Sequence, residues 1–86
     1  MNVINFENRT ALVTGASVWI GRATALKLAQ HGAKLVLFDI NYEKLESLKQ
    51  ELKEYTKDVL IYECDVSDEE KVYAYVKEAE EQFGEK

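Results

Sequence analysis

The chain alternates short unbroken apolar runs with longer stretches in which apolar residues recur every three or four positions. Ala11-Leu12-Val13 and Leu35-Val36-Leu37-Phe38 are continuously apolar, and Val59 to Glu63 is a third run with β-branched residues. Runs of this length, bounded by turn residues, suit strands covered on both faces of a parallel sheet. Between them the period changes to that of a helix. From about Ile20 to Gln30, Ile20, Ala23, Leu28 and Ala29 are available to the sheet while Arg22, Lys27 and Gln30 point out. Leu45, Leu48, Leu52 and Tyr55 then recur at spacings of 3, 4 and 3, and Val72, Val76, Ala79 and Phe83 at 4, 3 and 4. The pattern predicts an α/β domain, βαβαβα, with right-handed crossovers.

Punctuation residues agree with these elements. Gly15 ends the first strand and lets the chain turn sharply. Gly32 suits the residue just past the first helix, and His31 before it suits the negative end of the helix dipole. Asn41 is an expected N-cap for the second helix. Lys57-Asp58 turn the chain into the third strand, Ser67 and Glu70 form an expected capping box for the third helix, and Gly84 is its expected stop. Residues 1–9 read as polar and irregular, with Val3, Ile4 and Phe6 tucked under the sheet.

The segment Thr10 to Arg22, TALVTGASVWIGR, carries the chemistry. A strand, a glycine turn and a helix whose first free N–H groups face the turn make a site for an anion such as a pyrophosphate. Thr14-Gly15-x-x-x-Trp19-x-Gly21 resembles the TGxxxGxG fingerprint of the short-chain dehydrogenases/reductases, with Trp19 in place of the middle glycine. That glycine lets backbone approach the phosphates, so an indole there is expected to impair the site. Asp39 ends the second strand, 18 residues after Gly21, where a dinucleotide fold places the acid that accepts the ribose hydroxyls. Its charge would repel a 2′-phosphate and favours NAD over NADP, and a part in capping the next helix is compatible with that role. Asp65-Val66 after the third strand is similar to a recurring Asp-Val of the family whose Asp contacts adenine; a structural role at the cap fits it equally.

The resemblance spans residues 1 to 86 and implies a three-layer half-Rossmann fold, a parallel sheet of strand order 3-2-1. The implied cofactor set is Gly15, Ser17, Ile20, Gly21, Asp39, Asp65 and Val66, and the implied cofactor is NAD, bound weakly or not at all. Tyr73 and Lys77 match the spacing of the family's catalytic YxxxK pair. They lie on the third helix, where the family's pair comes far later, and no serine lies at the expected distance upstream, so the match reads as coincidence and no catalytic residue is assigned. The family's later catalytic segments have no counterpart in the sequence. The expectation is a non-catalytic half-Rossmann fragment or engineered module related to an NAD-dependent oxidoreductase; the alternative is a residual adenine-dinucleotide-binding domain. Without a fourth strand beside it, Thr10–Thr14 is an apolar edge, which predicts a homodimer with a continuous sheet.

Composition narrows the partners. With 86 residues, 47% hydrophobic and 31% charged, the chain is expected to form one soluble domain of marginal stability. A net charge of −5 without a Lys/Arg cluster argues against nucleic acid and anionic membranes. No apolar run approaches a membrane span and no signal peptide is evident, so a cytoplasmic location is expected. One cysteine, Cys64, and one histidine, His31, exclude an internal disulfide and a Cys/His zinc site. Cys64 is expected to pack as a small apolar residue.

Overall fold

A computed structural model describes residues 2–6, 10–15 and 19–83, with side chains from residue 10 onward. The elements in chain order are β1 (Asn2–Phe6), β2 (Thr10–Thr14), α1 (Trp19–Gln30), β3 (Lys34–Asp39), α2 (Tyr42–Leu52), β4 (Val59–Glu63) and α3 (Glu69–Phe83). The three strands expected from the sequence are β2, β3 and β4. They pair in parallel in that order, with Leu12 opposite Val36 and Val36 opposite Leu60.

Alternation along the strands divides the core into two. Ala11, Val13, Leu35, Leu37 and Val59 face α1 and α2, where they meet Ala25, Ala29, Leu45, Leu48 and Leu52. Leu12, Val36 and Phe38 face α3 and meet Ala79, with Leu60, Tyr62, Val72, Tyr75, Val76 and Phe83 partly buried around them. Helices on both faces leave the strands no solvated side, which is why their sequences are continuously apolar. Phe38 is the largest fully buried side chain. Tyr62 meets it edge-on with centroids 5.6 Å apart and stacks on Tyr75 at 4.5 Å.

Residues 2–6 correct the sequence reading. In place of an irregular segment they form β1, antiparallel to β2, with Asn2 opposite Thr14 and Phe6 opposite Thr10. The edge that the sequence left open to a second chain is thus occupied, and pairing of two copies along Thr10–Thr14 would require β1 to leave it. A second correction concerns α1. It begins at Trp19, and its buried residues are Gly21, Ala25 and Ala29. Ile20, expected on the sheet, is 68% exposed, and Ala23 also faces solvent. Small residues every fourth position bring the helix axis close to the sheet, which outweighs burial of the larger Ile20 side chain.

Helix ends follow local hydrogen bonds. Asn41 Oδ1 accepts the Lys44 N–H at 3.0 Å and caps α2 as expected. At α3 the cap is Asp68, whose Oδ1 accepts the Lys71 N–H at 3.2 Å; the expected Ser67 is turned back onto Asp65. Gly32 has φ 84° past the end of α1, and His31 Nδ1 lies 2.9 Å from the Lys27 carbonyl. Tyr55 falls beyond α2 and is 45% exposed. Gly84 lies outside the described residues.

Candidate functional site

The carboxyl ends of β2, β3 and β4 lie side by side, because Thr14 pairs with Phe38 and Asp39 with Glu63. In open α/β sheets ligands bind at such strand ends. Gly15 takes φ 64° directly after β2, a left-handed conformation that a side chain would penalise. Ser17 lies outside the described residues. Gly21 is buried against the core, while Ile20 stands exposed on the first turn of α1.

Trp19 is 92% exposed. With Ile20, Ala23, Thr24, Lys27 and Leu28 it lines an open groove of about 510 Å³ along α1. At that exposure almost no protein contact holds the indole in one orientation, so any obstruction it offers at the glycine turn depends on its rotamer.

Asp39 is 8% exposed. Its Oδ1 accepts the Asn41 N–H at 3.0 Å, and its carbonyl accepts the Cys64 N–H at 2.9 Å. The carboxylate therefore shapes the turn into α2, with Asn41 supplying the cap itself. Beside it, between the ends of β3 and β4 and the start of α3, Ile40, Glu63, Cys64, Asp65, Lys71 and Tyr75 line an open cleft of about 490 Å³. Asp65 Oδ1 accepts the Ser67 N–H at 2.9 Å and its hydroxyl at 2.8 Å. These two bonds, the backbone one foremost, hold the Asp65 carboxyl below its ordinary pKa, so it is an anion and an acceptor at neutral pH. Burial foremost, then the Asp68 carboxylate, pushes the Cys64 thiol up, which keeps it protonated and poorly nucleophilic.

The structure brings Asp65 into one cleft, with Val66 next to it in sequence and 48% exposed. Asp39 is joined to that cleft through the Cys64 backbone, while Gly15 and Gly21 sit at the neighbouring strand end. Sequence reasoning missed Ile40, Glu63, Cys64, Lys71 and Tyr75. Ile40 carried a signal: an apolar residue between the turn residues Asp39 and Asn41 has no core to enter, and it is 70% exposed. A flat base could lie on this side chain with Asp65 accepting an amino proton, and Lys71 adds an ammonium group to the lining. Tyr73 is 66% exposed, and Lys77 Nζ lies 5.6 Å from its ring centroid, a cation–π contact on the flank of α3. Among the described residues no cluster of three His, Cys, Asp or Glu side chains could hold a metal, and no helix is long and apolar enough to cross a membrane.

Known proteins are similar to this chain in sequence and fold. Levodione reductase of Leifsonia aquatica is 47% identical over 81 residues, covering 92% of this chain and 30% of that protein. The structure of NAD⁺-bound xylitol dehydrogenase matches with a TM-score of 0.83 and 40% identity, over 94% of this chain and 31% of the other. An alcohol dehydrogenase from the archaeon Thermococcus sibiricus, complexed with 5-hydroxy-NADP, matches with a TM-score of 0.80 and 38% identity, over 88% and 33%. The chain spans about a third of the length of these relatives. A profile of the short chain dehydrogenases aligns with residues 9–85, from the residue before β2 through α3, and the chain belongs to that family of oxidoreductases.

Proposed function

We propose that this chain is a non-catalytic half-Rossmann module that offers the adenosine subsite of an NAD-linked oxidoreductase, with its pyrophosphate approach impaired by Trp19. The observation that carries the reading is the cleft at the ends of β3 and β4, where exposed Ile40 and ionised Asp65 stand together next to the Asp39 turn. An apolar ledge with an acceptor at its edge suits a purine carrying an amino group. Glu63 and Asp65 outnumber Lys71 in the cleft's lining, and Asp39 ends the strand beside it; this negative balance disfavours a ribose 2′-phosphate, which supports NAD over NADP. Trp19 stands where the family fingerprint has glycine, at the helix start that would meet the pyrophosphate.

Calorimetric titration with AMP, NAD and NADP tests the reading. AMP and NAD are expected to bind weakly and with similar affinity, because the pyrophosphate contributes little, and NADP more weakly still. NAD binding much tighter than AMP would show that the glycine turn holds the pyrophosphate despite the indole. Sustained NADH formation from NAD and a secondary alcohol, lost in Tyr73→Phe, would overturn the non-catalytic reading.

A further inference from the structure

We propose that Ser67 is a positioning residue of the adenosine subsite: its hydroxyl and N–H hold one oxygen of the Asp65 carboxylate and leave the other to the amino group of a bound base. The inference rests on the nucleotide reading above and adds the residue that orients the acceptor. Asp65 lines the cleft at the ends of β3 and β4. Its Oδ1 accepts the Ser67 N–H at 2.9 Å and the Ser67 hydroxyl at 2.8 Å, and among the described residues Oδ2 has no partner. Two bonds to one oxygen restrict both side-chain torsions. The carboxylate is thus ordered before a ligand arrives, which lowers the entropic cost of binding.

The local backbone does not need the Ser67 hydroxyl. The turn is closed without it, because the Asp68 N–H donates to the Asp65 carbonyl at 2.8 Å. The helix is capped without it as well, since Asp68 Oδ1 accepts the Lys71 N–H. A serine just ahead of a helix ordinarily turns its oxygen to the first free N–H groups. Here the hydroxyl of an exposed serine donates backward to a carboxylate of the cleft instead. These bonds all lie within residues 65–71 and involve no other segment.

An oriented carboxylate oxygen tells an amino group from a carbonyl. An ionised carboxylate only accepts, so it favours adenine, with its exocyclic amino group, over hypoxanthine, which has a carbonyl in that place and would leave two acceptors facing each other. The ionised form is required. The Ser67 bonds hold the Asp65 carboxyl below its ordinary pKa, so the acceptor survives as pH falls into the ordinary carboxylate range and is lost only when Asp65 itself protonates. Without the hydroxyl bond that loss moves to higher pH. The other titratable groups around Asp65 are Glu63, Cys64 and Lys71 in the same lining, Asp39 at the end of β3 and Asp68 at the cap of α3. All of them are the same in a Ser67 variant, so a change in the pH profile reports on Asp65.

Calorimetric titration with AMP and with IMP, from neutral pH down to about pH 4, tests the proposal. The chain is expected to bind AMP more tightly than IMP. Ser67→Ala should weaken AMP roughly three- to tenfold, the effect of one hydrogen bond, leave IMP nearly unchanged, and shift the acid loss of AMP binding to higher pH. Ser67→Thr keeps the hydroxyl and should restore both the affinity and the pH profile. Asp65→Asn should turn the preference toward IMP, because Ser67 keeps the amide oxygen and leaves the amide nitrogen to the ligand. Urea unfolding of Ser67→Ala should match that of the parent chain. If AMP binds the parent and Ser67→Ala alters neither the AMP–IMP ratio nor the pH profile, the positioning role is overturned and the nucleotide reading stands. A loss equal for AMP and IMP, or one that Ser67→Thr does not restore, overturns it too, as does an AMP preference that persists in Asp65→Asn. Absence of saturable AMP binding to the parent chain overturns the nucleotide reading and this inference with it.

Discussion

Trp19 and Tyr62 are opposite cases of an aromatic residue in a small domain. Trp19 has almost no protein contact, so replacing it should alter binding and leave stability nearly untouched. Trp19→Gly is expected to raise NAD affinity several-fold above that of AMP by reopening the helix start to the pyrophosphate; isothermal calorimetry showing no gain would reject obstruction by the indole. Tyr62 is held between Phe38 and Tyr75, and burial foremost, then the Glu78 carboxylate, pushes its phenol up to about 12. Because the folded pKa lies above the ordinary tyrosine value near 10, the neutral phenol's contribution is intact below about 10 and lost as pH rises toward 12. Phenolate absorbance should show a late-titrating component that is lost in Tyr62→Phe. A titration curve that Tyr62→Phe leaves without any loss at high pH would contradict the packing described for the α3 face.

At the scale of elements, the strands and helices were legible because their periods differ, whereas the orientation of α1 was not. Ile20, Ala23, Leu28 and Ala29 formed a plausible apolar face, but close approach to the sheet selected the small residues Gly21, Ala25 and Ala29. Side-chain hydrophobicity alone cannot reveal a choice made by available space. Ala25→Leu is accordingly expected to destabilise by about 1–3 kcal/mol through overpacking, measured by urea unfolding, while Ala23→Leu should cost far less. The α3 cap shows a similar limit. Ser67 and Asp68 are both good caps, and the pull of Asp65 on the Ser67 hydroxyl and N–H leaves the role to Asp68. Asp68→Ala should cost about 1 kcal/mol, more than Ser67→Ala; the reverse order would restore Ser67 as the cap. Of the candidate site, the turn glycines and strand-end acids were legible as motif positions. The cleft lined by Ile40, Lys71 and Tyr75 was not, because it forms only where the end of β3 meets the first turns of α3.

At the scale of the whole molecule, β1 changes what the sheet exposes. The segment lies antiparallel along β2, where a doubly wound order places a fourth, parallel strand. Deleting residues 1–6 should speed exchange of the β2 amides that point toward β1 and leave those facing β3 protected; uniform protection would mean that β1 does not cover this edge. At the sheet's other side, the ends of β3 and β4 form the proposed adenosine subsite. The most direct test is a ¹⁵N–¹H correlation spectrum of the chain titrated with AMP. Saturable shifts are expected at Ile40, Cys64, Asp65 and Val66, with little change along α1 beyond its first turn. Spectra unchanged up to millimolar AMP, or shifts confined to the outer stripe of α1, would contradict it.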